Sequence, residues 1–108
     1  MWLQSLGVTA TQHTIILPNN KRAVVDGFDA STTTVYEFLG DFWHGHPSWW
    51  TKFNGINDRN GVRFEELFEQ TEKRLQQLYS LGYNIIYVWE TDINAGITQR
   101  YFTGKLEC

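Results

Sequence analysis

Cysteine is nearly absent from this chain, and no long hydrophobic run is present. Cys108 is the only cysteine among 108 residues, which excludes a disulfide within one chain and a zinc site built from cysteines. No stretch approaches the roughly 20 apolar residues of a membrane-spanning helix. Residues 1–4 also lack the basic and apolar regions of a signal peptide. We therefore expect a soluble intracellular protein without a membrane partner.

Basic residues are also few, since nine lysines and arginines face twelve aspartates and glutamates, for a formal net charge of −3. Proteins that bind DNA on their own are usually basic, because contacts with phosphates supply most of their non-specific affinity. The composition therefore argues against a self-sufficient DNA-binding protein. It is compatible with a catalytic module that gains affinity from another domain, a second subunit or a divalent metal.

The chain does contain enough apolar material for one core. Hydrophobic residues make up 42% of the sequence and aromatic residues 16%, without an internal repeat or a low-complexity segment. We therefore interpret residues 1–108 as a single folded domain. The segment from Trp2 to Gly7 is typical of the last turn of a helix that a glycine closes. This start indicates a fragment of a longer protein, with a truncated N-terminal helix.

Hydrophobic patterns predict an α/β fold with a mixed sheet. β-Branched residues indicate strands, turn-forming residues indicate their ends, and apolar residues at helical spacing indicate a helix. In order, they predict a hairpin of strands 12–17 and 22–28, a strand 33–39, a long loop 40–61, a helix 64–81 and a buried strand 84–89. A helix between two strands suits a right-handed crossover. The segment after Asp92 has no clear pattern.

Acidic residues mark the second and third predicted strands. Asp26 and Asp29 lie near the end of the second strand, and Glu37 lies within the third. Asp26 can be an ordinary turn residue. Asp29 is better explained as a turn residue or a support for the site, although it can also substitute as a metal ligand. Glu37 has apolar neighbours, so its carboxylate must be paired or must bind a ligand. Carboxylates at such positions suit Mg²⁺ or Mn²⁺, which predicts a metal site at Asp26 and Glu37.

Two histidines follow in the predicted loop. A histidine can move a proton near neutral pH, and we assign this role to His44. His46 either faces DNA or packs against the protein, and Asp41 is predicted to orient one of the histidines. Two histidines in one loop also permit the zinc site of a non-nuclease hydrolase. The remaining alternative is an ordinary packed loop.

The predicted helix adds two polar residues to the candidates. Thr71 interrupts the apolar stripe, so we expect its side chain to point toward the acids. Arg74 follows on an adjoining face and can contact phosphate. A solvated helix face is the ordinary explanation for charges at such positions.

Three blocks of the sequence together form a recognisable set of motifs. They are Val25-Asp26-Gly27-Phe28-Asp29, the segment from Tyr36 to Pro47, and Thr71-Glu72-Lys73-Arg74 with the later Leu81-Gly82-Tyr83 and Val88-Trp89-Glu90. The blocks resemble the very-short-patch-repair endonucleases of the PD-(D/E)xK superfamily, and more closely the catalytic domains of phage-type homing endonucleases. They span about two thirds of the chain in the order and approximate spacing of that family.

The resemblance implies a restriction-endonuclease-like fold, a mixed central sheet with flanking helices, and Mg²⁺-dependent hydrolysis of DNA. Mn²⁺ is the alternative metal. It implies that Asp26 and Glu37 are the metal ligands and that His44 is catalytic. Phe42 and Trp43 match aromatic residues that, in repair relatives, wedge into the DNA stack at the expense of base stacking.

The chain departs from this family at three places. Leu39 replaces the lysine of the signature, which places more weight on His44 or on the metal alone. Asp41 stands where repair enzymes carry a zinc-binding cysteine, so no structural zinc is expected. A helix glutamate of the relatives would precede Trp2 and is not part of this sequence.

Together these features predict a cytoplasmic DNA endonuclease of homing or mismatch-repair type, of phage, bacterial or viral origin, that acts on double-stranded DNA. We assign DNA contacts to four residues, Phe42, Trp43, His46 and Arg74. A domain outside this sequence, or a homodimer, is expected to supply specificity. The alternative is a catalytically silent nucleic-acid-binding or interaction module with a nuclease-like fold, which the replacement of lysine by Leu39 favours.

Overall fold

The computed structural model describes residues 2–108 and has an α/β architecture built on one mixed sheet. The five strands lie side by side in chain order. They are β1 (Ala10–Ile16), β2 (Arg22–Asp29), β3 (Thr34–Leu39), β4 (Asn84–Trp89) and β5 (Arg100–Tyr101). Antiparallel pairing joins β1 to β2, β2 to β3 and β4 to β5, whereas β3 and β4 are parallel. The predicted mixed sheet is confirmed, and β3 is its central strand.

Helices flank the sheet and connect its strands. They are α1 (Trp2–Ser5), α2 (Asp41–His44), α3 (Phe64–Ser80) and α4 (Glu90–Asn94). The long helix α3 lies between β3 and β4 in the chain, as expected for the connection of two parallel strands. The helix predicted over residues 64–81 differs from α3 by one residue at its C-terminal end. The short turn α1 is also confirmed, and Gly7 follows it at φ +75°.

The hairpin of β1 and β2 follows from the residues of its turn. Pro18 ends the apolar run, and Asn20 adopts a left-handed conformation (φ +63°) that asparagine tolerates. Backbone hydrogen bonds join Leu17 to Lys21 (2.8 Å) and Asn20 to Leu17 (2.9 Å). Both predicted strands are confirmed, with ends that differ from the prediction by one or two residues.

The core lies between the central strands and α3. Val35 and Leu39 of β3 have no exposed surface, and they belong to one cluster with Leu75 and Leu78 of α3. Side chains alternate along a strand, so Glu37 is directed to the same face as Val35 and Leu39. The carboxylate of Glu37 therefore points toward α3.

The segment 40–61 is more regular than predicted. Instead of one long loop, it contains α2 and two 3₁₀ turns, Pro47–Trp49 and Phe53–Gly55. An isolated bridge joins Ile56 to Arg63. Each helical piece has only three or four residues, which is too short for a hydrophobic period to be visible.

A partly buried ion pair orders the segment after β4. Asp92 accepts a hydrogen bond of 2.9 Å from the backbone N–H of Trp89 and pairs with Arg100 at 2.8 Å. The pair joins the start of α4 to β5, in the region where the sequence had no clear pattern. Within residues 2–108, no helix is long and apolar enough to cross a membrane.

Candidate active site

Asp26 and Glu37 meet where the pairing of β2 with β3 ends. The last paired residues in this direction are Gly27 and Tyr36, so Asp26 and Glu37 take the next opposed positions. There Oδ2 of Asp26 accepts a hydrogen bond of 2.7 Å from the backbone N–H of Phe38. The carboxylate of Asp26 thus replaces the backbone carbonyl that would accept from Phe38 in a continued strand pair. This hydrogen bond holds Asp26 beside β3.

Glu37 is buried and paired. Only 5% of its side chain is exposed, and its carboxylate forms an ion pair with Arg74 of α3. The guanidinium of Arg74 also donates to the carbonyl of Val24 over 2.6 Å. The expectation that a carboxylate at this position must be paired is therefore confirmed. Arg74 keeps 33% of its side chain exposed, so it also faces solvent.

The pKa of Glu37 is raised to about 7. Burial is the largest cause, because a charged carboxylate loses its hydration in the protein interior. The positive charge of Arg74 opposes this effect, whereas the charge of Asp26 and a hydrogen bond with its carboxyl group add to the rise. Glu37 therefore binds a proton near neutral pH, as carboxyl groups with perturbed pKa values at functional sites often do.

The helix α2 brings His44 to the same place. Gly45 ends this helix in the left-handed conformation, at φ +70°. A Cβ atom at Gly45 would lie 2.0 Å from the carbonyl oxygen of Phe64 at the start of α3. Glycine is thus required for α2 to approach α3 this closely.

Thr71 orients the ring of His44. Nδ1 of His44 lies 3.0 Å from the hydroxyl oxygen of Thr71, and this hydroxyl donates to the carbonyl of Leu67 over 2.9 Å. A hydroxyl has a single hydrogen, so it accepts from the Nδ1–H group and leaves Nε2 as the basic nitrogen. Burial lowers the pKa of His44, Arg74 lowers it further, and Asp26 opposes both. The ring is therefore neutral at pH 7 and able to accept a proton.

These side chains line one open cavity of about 190 Å³. Its walls are formed by Val24, Asp26, Glu37, Phe38, His44, Thr71 and Arg74. We name it the Asp26–His44 cavity. The three residues predicted to be catalytic converge here from β2, β3 and α2, and α3 adds Thr71 and Arg74. Their chemical roles remain predictions.

Two secondary candidates have structural partners elsewhere. Asp29 accepts hydrogen bonds from the backbone N–H (2.9 Å) and the hydroxyl (2.6 Å) of Ser31, so its interpretation as a turn residue is confirmed. The prediction that Asp41 orients a histidine is wrong. Its carboxylate instead accepts from the hydroxyl and the backbone N–H of Thr91. This contact joins α2 to α4.

The half-buried ring of His46 packs against the protein. Its ring meets Trp89 edge-on at 4.9 Å, and its Nδ1 accepts from the backbone N–H of Ser48 over 3.1 Å. His44 and His46 therefore have separate partners. Among the residues that the structure describes (2–108), no group of three or more His, Cys, Asp or Glu side chains is placed to hold a metal ion. The alternative of a zinc centre on the two histidines is not supported.

Trp43 is the exposed aromatic residue of α2, with 56% of its surface accessible. Phe42, which we predicted to wedge beside it, is half-buried. Its ring packs edge-on against Trp43 at 5.0 Å, Trp49 at 5.2 Å and Phe64 at 5.7 Å. The geometry therefore leaves Trp43 as the exposed side chain of the pair, and Phe42 as its support.

The position of the signature lysine lies outside the cavity. Leu39, which replaces it, has no exposed surface and is part of the core. The nitrogen-bearing side chains that line the cavity are His44 and Arg74. The basic groups are thus supplied by α2 and α3 rather than by β3.

Two backbone groups of the cavity have no signal in the sequence. The N–H of Phe38 holds Asp26, and the carbonyl of Val24 holds Arg74. Any residue type supplies such groups, so only the structure reveals them. The pairing of Arg74 with Glu37 did have a signal, because a buried glutamate requires a cationic partner.

Comparison with known proteins finds no relative of this chain. No protein-family model, no curated protein and no solved structure matches it significantly. Any assignment of function therefore depends on the residues themselves and on the geometry described above.

Proposed function

We propose that this chain is a metal-dependent endonuclease that hydrolyses phosphodiester bonds in double-stranded DNA, with a fold of the restriction-endonuclease type. The observation that carries the proposal is the shared cavity, which Asp26, Glu37 and His44 line from three different elements. Hydrolysis of a phosphodiester needs charge stabilisation at the phosphate and an acceptor for the proton of water. Two acids and a neutral histidine are suitable groups for these tasks.

The donor set of the cavity fits Mg²⁺. In proteins, Mg²⁺ is usually held by one or two carboxylates, while water and substrate phosphates complete its coordination. Asp26 and Glu37 would hold the ion, and Mn²⁺ suits the same oxygen ligands. When bound, the metal would act as a Lewis acid toward the scissile phosphate. Because the pKa of Glu37 is about 7, binding of a cation there is expected to release a proton.

His44 would act as the general base. Thr71 keeps the proton on Nδ1, so Nε2 of the neutral ring can accept a proton from the water that attacks the phosphorus atom. The imidazolium then releases this proton to solvent, and the leaving 3′ oxygen, on the opposite side of the phosphorus atom, takes its proton from water. Protonation of the leaving 3′ oxygen by the imidazolium is the alternative role of His44. The role as base uses Nε2, which the Thr71 hydrogen bond keeps unprotonated before the reaction.

Arg74 and Trp43 are the groups we assign to DNA contacts. A guanidinium has five N–H donors, and the bonds of Arg74 to Glu37 and Val24 leave others for a phosphate oxygen. Trp43 is exposed beside α2 and can stack on a base. With a net charge of −3, the chain needs further contacts for tight binding, which a second domain or a homodimer would supply.

Nicking of supercoiled plasmid DNA tests the proposal. We expect Mg²⁺ or Mn²⁺ to support conversion to open-circular or linear plasmid, and EDTA to stop it. His44→Ala should slow the reaction by about 10²–10⁴-fold, the usual contribution of a general base. Cleavage that is unaffected by EDTA, or that survives the loss of His44, would contradict the proposal.

A catalytically silent nucleic-acid-binding module is the second candidate. The observation that favours it is the burial of Leu39, because β3 then offers no basic residue at the signature position. A chain that shifts DNA in a gel-retardation assay, but does not cleave it with any divalent metal, would support this candidate over the first.

A further inference from the structure

A second and larger cavity adjoins the Asp26–His44 cavity. It has a volume of about 340 Å³ and is lined by Trp2, Leu3, Gln12, Asp26 and Phe38. We name it the Trp2 cavity. Asp26 and Phe38 line both spaces, so the two cavities meet at the carboxylate assigned to the metal. None of the roles assigned so far uses the Trp2 cavity.

Two of the residues that line the Trp2 cavity, Trp2 and Phe38, are aromatic, and Trp2 is held in place by a hydrogen bond. Nε1 of Trp2 donates to the carbonyl of Thr98 over 2.7 Å, which anchors the indole to the segment before β5. The Trp2 ring lies 6.2 Å from Tyr36 and 6.3 Å from Phe38, measured between centroids. The volume falls at the lower end of the roughly 300–1,000 Å³ of small-ligand pockets. A flat aromatic group is a suitable occupant.

Gln12 gives this cavity a polar group in an unusual backbone conformation. Its φ is +50°, although it lies within β1. The residues on either side pair with β2, as Thr11 with Gly27 and His13 with Val25, whereas Gln12 is outside the ladder opposite Asp26. Non-glycine residues in this conformation are uncommon and cluster at ligand sites. The amide of Gln12 offers one acceptor and two donor hydrogens to a ligand.

We propose that the Trp2 cavity binds the nucleobase next to the phosphate that is cleaved, in an unpaired and unstacked state, with Gln12 contacting the edge of the base. This inference rests on the proposed function. The phosphorus atom of a phosphate held at Asp26 is bonded to a sugar oxygen of the neighbouring nucleoside, so the base of that nucleoside must lie nearby. Asp26 also lines the Trp2 cavity. Rings such as Trp2 and Phe38 stack on any base. The substrate class would therefore be double-stranded DNA in which the nucleotide at the cleaved position is locally unpaired.

Binding of short oligonucleotides measures the contribution of the base directly. The three probes are an oligothymidylate, the same backbone made of abasic nucleotides, and a duplex. The binding of each probe is measured by fluorescence anisotropy at one salt concentration. The Glu37→Gln chain with Mg²⁺ is used, so that cleavage does not interfere. We expect the oligothymidylate to bind about 5- to 150-fold more tightly than the abasic chain, the range for one stacked base. The duplex should bind more weakly than the oligothymidylate.

Two variants locate this preference. Gln12→Gly removes the amide and relieves the positive φ, so the melting temperature should rise or stay unchanged while the preference for a base falls. Trp2→Ala should abolish most of the preference, and Trp2→Phe should retain part of it. Tyr79→Ala is the matched control, because Tyr79 is an exposed aromatic residue that lines neither cavity.

The outcomes separate this inference from the proposed function. If the base preference is present and depends on Gln12 and Trp2, the inference holds even for a chain that never cleaves DNA. If plasmid is cleaved but the oligothymidylate and the abasic chain bind equally, the inference is overturned while the nuclease proposal stands. A preference that Gln12→Gly and Trp2→Ala leave unchanged would also overturn it.

Discussion

The hydroxyl of Thr71 fixes the proton of His44 on one nitrogen. Its oxygen lies 3.0 Å from Nδ1 of His44, and its hydrogen is given to the carbonyl of Leu67. The tautomer of the ring is thus set by the backbone of α3 before any substrate arrives. An orienting group of this kind supports a base without touching the substrate.

Replacement of Thr71 by valine should therefore reduce the rate of cleavage more than DNA binding. We expect kcat to fall by about 10- to 100-fold, the usual effect of losing an orienting hydrogen bond, with little change in KM. The ¹⁵N chemical shifts of His44 should show a mixture of tautomers in this variant. Thr71→Ser keeps the hydroxyl and should restore both properties, and a fully active Thr71→Val would contradict the orienting role.

Glu37→Gln should stabilise the fold by an amount that grows as pH rises above about 4.5. The pKa of Glu37 is about 7 in the fold, against an ordinary value of 4.5. The folded state therefore holds a proton that the unfolded state has already released, and the stability from this group declines as pH rises from 4.5 to about 7. Above that range the ionised carboxylate costs about 3 kcal/mol, and a glutamine removes this cost.

Urea unfolding near pH 5 and pH 8 measures this effect. The free energy of unfolding of Glu37→Gln should exceed that of the wild type by about 3 kcal/mol at pH 8 and by about 1 kcal/mol at pH 5. Glu65→Gln is the control, because the side chain of Glu65 is 51% exposed. An equal difference at both pH values would show that the carboxylate of Glu37 is not the cause.

Trp43→Ala should weaken DNA binding without affecting metal binding. Trp43 is 56% exposed and does not line the Asp26–His44 cavity. We expect the affinity for DNA to fall by about tenfold, as for the loss of one stacked base, while a Mn²⁺ titration is unchanged. Phe53→Ala removes a similarly exposed aromatic ring, 59% accessible, and should have a smaller effect. Equal losses of DNA and metal affinity would disprove the wedge assignment.

Regular patterns in the sequence predicted the regular parts of the fold. The apolar run of β4 gave its bounds, and the spacing of Phe64, Leu67, Leu75 and Leu78 identified α3. The burial of Glu37 was predictable too, because its neighbours in β3 are apolar. These predictions succeed because burial of one helix or sheet face imposes a period on the residues.

Contacts between distant segments were not predictable from any period. Asp41 meets Thr91, which is 50 residues away, although a histidine three or five residues away was the expected partner. The left-handed conformation of Gln12 also had no signal, since glycine is the residue that usually adopts it. At the candidate site, the sequence predicted that Asp26, Glu37 and His44 come together. The contributions of the backbone groups of Phe38 and Val24 could be found only from the structure.

Asp26 offers the most direct test of the account, through the initial rate of Mg²⁺-dependent plasmid nicking. Asp26→Asn keeps an acceptor for the N–H of Phe38 and removes the charge, and Asp29→Asn makes the same change at the turn end of β2. We expect Asp26→Asn to lose about 100-fold or more of the rate, with Asp29→Asn close to the wild type. If a cleaving wild-type protein and its Asp26→Asn variant work equally fast, the Asp26–His44 cavity is not the place where the phosphodiester is hydrolysed.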